Sequence, residues 1–473
     1  MLTRVLQLLI ILIPLGVFVW LLRIELVPDG TFEIAYHIGK ASPYLDELVP
    51  QNRLRDGRFI VDDPVYTFMH PHRRFDRVLV AVRFKNTSAP ILEFGPLMQT
   101  KPDVYDLRPL HNHLIDQLGW PVVHEGELSL YQRTPVYDSL RAFRTNPPSR
   151  ARVAVYKADE AIPLRLPTYV ASSQARTMEA TLRGKHDFKT YIKNETLFLA
   201  LEYMDMNRDE GADALALTVF NEDGEPVADV RAEDDGQTRD DAIPSSMQTL
   251  TLSVPGLPEG VYKIALNAPR DIFVRKLRTK QSKFVLVGSL YLGDEIAYRE
   301  TPRALDVWTA SPRLRVQTRH AQGVQDLTSA DRTFAIAAPY EMYTFDRPGT
   351  LAPVHVPKGD LEIVFDGALA FSQEAYFEPD AIPIRSYTNM DAQGIDFILT
   401  SYRPPERVDG WLVQRLTFDA APLVFDKGAW KFTFSAPDIR ARGGEVEVDG
   451  MEVVWERESF HWSDLLDGLK RAD

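Results

Sequence analysis

The sequence predicts a mainly β protein: tandem β-sandwich domains of jelly-roll or immunoglobulin-like kind behind one N-terminal transmembrane helix, with minor helical insertions. Three observations carry this. Apolar and polar residues alternate in short runs along the whole body. Turn residues are plentiful, with 33 prolines and 26 glycines among 473 residues. Residues 5–22 form an apolar span of 18 residues without a charge.

That span would cover about 27 Å as a helix, close to a bilayer's hydrocarbon core. Arg4 and Arg23 flank it, and Trp20 sits where an interfacial aromatic belongs. Pro14 and Gly16 are tolerated in a membrane helix, and no small-residue cleavage site follows. The expectation is a cytoplasmic stub and anchor over residues 1–25, with the lipid bilayer as partner through residues 5–22. Glu25 and Asp29 follow Arg23 closely, so the positive-inside rule places the N-terminus in the cytoplasm and the body outside it.

Three β domains are expected after the anchor. In the first, residues 26–161, Val78, Val80, Val82 and Phe84 alternate with Leu79, Ala81, Arg83 and Lys85, the pattern of a half-buried strand. Leu110, Leu114 and Leu118 recur at helical spacing over residues 109–118, and a second short helix is expected near residues 137–144. In the second, residues 162–312, the alternation runs through Leu197, Leu199, Leu201 and Tyr203, and again through Leu215, Leu217 and Val219. The turn at residues 221–224 ends in a glycine free to take positive φ. A Gly-x-Tyr at Gly260 and Tyr262 leads into a further strand, as is common in immunoglobulin-like and jelly-roll modules. In the third, residues 313–473, Trp430, Phe432 and Phe434 alternate, and Asp449-Gly450 reads as a two-residue hairpin turn. A short amphipathic helix with Trp462, Leu465, Leu466 and Leu469 on one stripe closes the chain.

Net charge is −13, and residues 1–23 hold only two charged side chains, both arginines. A body this acidic is repelled by phosphate, which excludes general nucleic-acid binding. Cysteine is absent, which excludes disulfides, thiol catalysis and cysteine-zinc sites.

The sharpest candidate site is the acidic run Asp205, Asn207, Asp209 and Asp213, with Gly211 inside it. Oxygen ligands at alternating positions let one tight loop wrap a hard cation, and Ca²⁺ is the expected cofactor. Ala216 stands where an EF-hand would place its bidentate Glu, so the affinity expected is low. His70 and His72 can share a metal only if extended, whereas His111 and His113 fall on opposite faces of the expected helix. Residues 270–283 carry six basic side chains and one acid, a candidate patch for anions or a guarded strand edge. Asn86-Thr-Ser88 and Asn194-Glu-Thr196 match the N-glycosylation pattern.

No nucleophile elbow, phosphate loop or dinucleotide fingerprint is present, and no catalytic residue is identified. The expected role is a membrane-anchored, extracytoplasmic structural or recognition protein of the cell surface, binding a glycan or protein partner. Two alternatives are a carbohydrate-active enzyme or its accessory module, and a subunit of a larger envelope assembly.

Overall fold

A computed structural model describes residues 15–18, 27, 29–158, 162, 164–234, 236–237, 243–293, 303–330 and 332–459. The protein is mainly β, with several antiparallel sheets and few, short helices. The anchor expected at residues 5–22 lies outside the described residues apart from one helical turn, in which Leu15, Val17 and Phe18 are exposed. No helix among the described residues is long and apolar enough to cross a membrane. The amphipathic helix expected around Trp462–Leu469 also lies outside the described residues.

Two compact units divide the chain, one running up to Gly119 and resuming at Tyr402, the other covering Trp120–Ser401. The boundaries expected after residues 161 and 312 both fall within the second unit.

In the first unit the expected alternation holds. Val78, Val80, Val82 and Phe84 on the strand Arg77–Asn86 are fully buried. That strand pairs on one side with Trp411–Asp419 and on the other with Val446–Glu456, setting Val80 opposite both Leu416 and Val453. A second sheet pairs Ile91–Thr100 with Ala429–Ser435, and Phe94, Phe432 and Phe434 share one core with the valines. Asp449-Gly450 makes no hairpin. It lies inside the single strand Val446–Glu456, where the register slips between Val448 and Gly450. Gly450 is needed there for close approach, since a Cβ would come within 2.4 Å of the Tyr36 carbonyl oxygen.

The helix expected over residues 109–118 is strand in its first four residues and helix in only the next four. Arg108–Asn112 pairs with Ile91–Thr100, and only His113–Asp116 is helical, capped by the Asn112 side chain accepting from the Ile115 N–H. Ile115 and Leu110 are buried, whereas Leu114 and Leu118 are only half-buried, so the four-residue spacing was not a core stripe.

In the second unit, a five-stranded sheet includes Val153–Tyr156 running parallel to Phe397–Thr400. The helix Leu140–Thr145 packs Leu140 and Phe143 into that sheet's core, close to where a helix was expected. The remaining strands form one continuous hydrogen-bonded system from Arg176–Met178 to Leu361–Ala370. Within it, Leu197–Asp205 lies between Gln248–Val254 and Ile272–Thr279. Leu215–Phe220 and His186–Ile192 flank Gly260–Asn267. Leu199, Leu201, Leu217, Val219, Ile264 and Leu286 meet in one core, so the period-two pattern of each strand buries one face against its neighbours.

Candidate metal centre

Strand pairing gathers three carboxylates at one end of this system. Asp205 closes the strand Leu197–Asp205 and stands opposite Ile272, the first residue of Ile272–Thr279. Asp271 therefore sits beside Asp205. Asp213 arrives from the far end of the intervening loop, two residues before the strand Leu215–Phe220. One carboxylate oxygen from each of Asp205, Asp213 and Asp271 lies within 4.8 Å of the others. Among the described residues this is the one such group of three or more acidic or histidine side chains.

Asp271 also organises the loop. Its Oδ2 accepts the backbone N–H groups of Arg208 and Asp209, the latter at 3.0 Å. Its Oδ1 is buried and accepts no hydrogen bond from the described residues, and the residue is wholly excluded from solvent. A buried carboxylate oxygen with no donor is costly unless a cation compensates it. Asp205 is 3% exposed, and its Oδ1 accepts the Asn207 N–H at 2.9 Å. Asp213 is half-buried, with its carboxyl pushed up to about 6, first by burial and then by the charges of Asp205, Asp271, Asp234 and Asp209. Like charges this close raise one another's proton affinity, and a divalent cation would relieve the same repulsion.

Of the four residues expected from sequence, Asp205 and Asp213 belong to the cluster. Asn207 is no part of this group of acids: its side-chain Nδ2 donates to the Ile243 carbonyl at 2.8 Å, and its backbone takes φ of 49° to turn the loop. The Asp209 side chain is exposed and outside the cluster. Asp271 was missed because its partners lie far away in sequence. It is also the one acid of the 270–283 run that drew attention for the opposite charge. Along that run Arg275 is buried, Lys276 pairs with Glu202 at 3.3 Å, and Lys283 donates to the carbonyls of Glu374 and Tyr376. The strand Ile272–Thr279 within the run is interior, paired with Leu197–Asp205 on one side and with Arg176–Met178 and Leu182–Arg183 on the other.

The histidines serve the first unit's packing. His70 Nε2 lies 3.0 Å from Asp46, whereas His72 packs edge-on against Phe32 near Trp455. His111 and His113 come closer than a helix would allow, with ring centroids 5.6 Å apart, because only the second is helical. His111 is held by Asn86 at 2.9 Å and by Asp116 at 3.1 Å. The Asn86 amide, buried and also donating to the Ala89 carbonyl, is engaged in the fold rather than presented for glycosylation.

In sequence, the chain matches no protein-family model and no curated protein. Among solved structures, it overlaps particles derived from infectious bursal virus at 9% identity and a TM-score of 0.16, over 90% of this chain and 77% of that one. It overlaps dimeric latent PorU of Porphyromonas gingivalis at 11% identity and a TM-score of 0.19, over 64% of this chain and 34% of that one. A tandem CBM22 domain from Paenibacillus barcinonensis Xyn10C overlaps at 9% identity and a TM-score of 0.15, over 53% of this chain and 93% of that one. At these TM-scores the overlaps assign neither fold family nor activity.

Proposed function

We propose that the chain is a membrane-anchored, extracytoplasmic recognition protein built of tandem β-sandwich modules, in which calcium pegs the loop between Asp205 and Asp213. The observation that carries this reading is the Asp205–Asp213–Asp271 cluster. Three carboxylates without a bidentate Glu make a weak calcium site, with a Kd on the order of 10⁻⁴–10⁻³ M. Such a site fills only where calcium is millimolar, which means outside the cytoplasm. The absence of cysteine and the bilayer span at residues 5–22 agree with that placement. A glycan or a protein is the partner in this reading.

Two experiments test it. Calcium at about 2–5 mM is expected to stabilise the second unit by about 1–2 kcal/mol, read as a raised melting temperature against chelator. Magnesium at matched ionic strength is the control. Asp271→Asn removes the shift, whereas Asp209→Ala keeps it. A shift no larger than magnesium's, or one that survives Asp271→Asn, would exclude a calcium site here. Separately, protease added to intact cells is expected to digest the body. Protection there, with digestion in inverted vesicles, would reverse the orientation.

A further inference from the structure

The geometry points to a second binding site in the Trp120–Ser401 unit, a pocket for a carboxylate-bearing sugar. It rests on the glycan-recognition part of the reading above and uses none of the calcium residues. A cavity of about 470 Å³ opens beside the 221–224 hairpin, within the size range of small-ligand sites. Arg150, Lys189, Lys263, Phe220, Glu222 and Asp380 line it. Three cations face two anions there, in a chain whose net charge is −13.

Strand register builds this site. Lys263 stands directly opposite Lys189 on one neighbouring strand and opposite Phe220 on the other. An aromatic ring and two ammonium groups therefore form one cross-strand row. Like charges directly opposed in a sheet are destabilising, and each lysine leans on its own acid. Lys189 Nζ reaches both oxygens of Asp380 at 2.6 Å, and Lys263 Nζ reaches Asp187 at 2.9 Å. Arg150 is buried, fixed by the Pro379 and Ile162 carbonyls, and lies 3.7 Å from Glu222. Glu222 in turn accepts the Val261 N–H at 3.0 Å.

Each part of the lining selects a feature of the ligand. The half-buried Phe220 ring offers an apolar face to the C–H side of a pyranose. The two ammonium groups supply charge-assisted donors for one carboxylate. The carboxylates of Glu222 and Asp380 have acceptor capacity for hydroxyl donors. Beyond Asp380 and Asp187 the two ammonium groups keep spare donors, to which a neutral sugar brings no charge, whereas a dianion such as phosphate meets the two acids. A uronic acid satisfies all three parts.

The test titrates the full chain, in calcium-containing buffer at low salt, with D-glucuronic and D-galacturonic acid, followed by calorimetry and saturation-transfer NMR. D-glucose and inorganic phosphate are the controls. At least one uronic acid is expected to bind about ten-fold or more tighter than glucose or phosphate. Lys263→Ala and Phe220→Ala each weaken it about ten-fold, while the calcium-dependent melting shift stays unchanged and reports an intact unit. No uronic acid binding at about 10 mM, equal binding of glucose, or full binding in both variants overturns the assignment. A neutral glycan or a protein captured independently of Phe220 and Lys263 overturns it too, and leaves the recognition reading standing.

Discussion

Trp455→Ala is expected to cost the first unit about 3–5 kcal/mol, seen as a lower urea midpoint for that unit's transition. Trp455 is wholly buried on the strand Val446–Glu456, opposite Val78. Its ring stacks at 5.6 Å on Phe32 and packs against Tyr44 and Phe75 at 6.0 and 5.6 Å. Truncation removes a large apolar area and opens a cavity that the surrounding strands cannot collapse into. The indole Nε1–H meets no acceptor among the described residues, however, which costs about 1–3 kcal/mol where it stands. Trp455→Phe therefore loses much less than the alanine variant, because both remove the unpaired N–H but the phenyl ring refills most of the volume. Equal losses for the two substitutions would show that a phenyl ring does not refill the site. No loss for alanine would contradict the packing itself.

Lowering the pH is expected to destabilise the second unit through His186. Its Nδ1–H donates to the Gly184 carbonyl at 3.1 Å, and its Nε2 accepts the Tyr291 N–H at 3.0 Å. That arrangement requires neutral imidazole, and burial lowers its pKa to about 4. The unfolded chain takes up a proton near the ordinary value of about 6.5, so the contribution is fully present above that pH and is lost as pH falls toward 4. By pH 4.5 the loss is about 2–3 kcal/mol. Two half-buried carboxyls act in the opposite sense. Glu378 is pushed up to about 7 by burial first, and Asp213 to about 6, so each destabilises the fold when ionised and less so as pH falls through those values. The stability difference between the native chain and His186→Gln isolates the histidine. It should shrink by that amount between pH 7 and 4.5, and a pH-independent difference would mean that His186 takes up its proton equally in both states.

How much of this was legible in the sequence follows from the range of the interactions. Strands such as Arg77–Asn86 and Leu197–Asp205 announce themselves, because period-two burial is a local property. Asp205 and Asp213 were legible as oxygen ligands bracketing a loop. Asp271 was not, since only the pairing of Asp205 with Ile272 brings it there, and register is a long-range outcome. Gly450 misled for a related reason. An Asp-Gly pair suits a turn locally, but here the approaching Tyr36 carbonyl demands the glycine. The Phe220–Lys263–Lys189 row joins three strands, and no local spacing displays it.

The pairing of Arg77–Asn86 also fixes an order of events during synthesis. Both strands that flank it, Trp411–Asp419 and Val446–Glu456, leave the ribosome only after the whole Trp120–Ser401 unit has been made. At about 5–20 residues per second the wait is about 15–65 s. Through that interval the apolar face of Val78, Val80, Val82 and Phe84 has neither neighbour, which makes it a target for aggregation and for a holding chaperone. The inserted unit meanwhile has all its own strands and can close first. A chain stopped at Ser401 would leave that unit folded and the N-terminal strands still waiting.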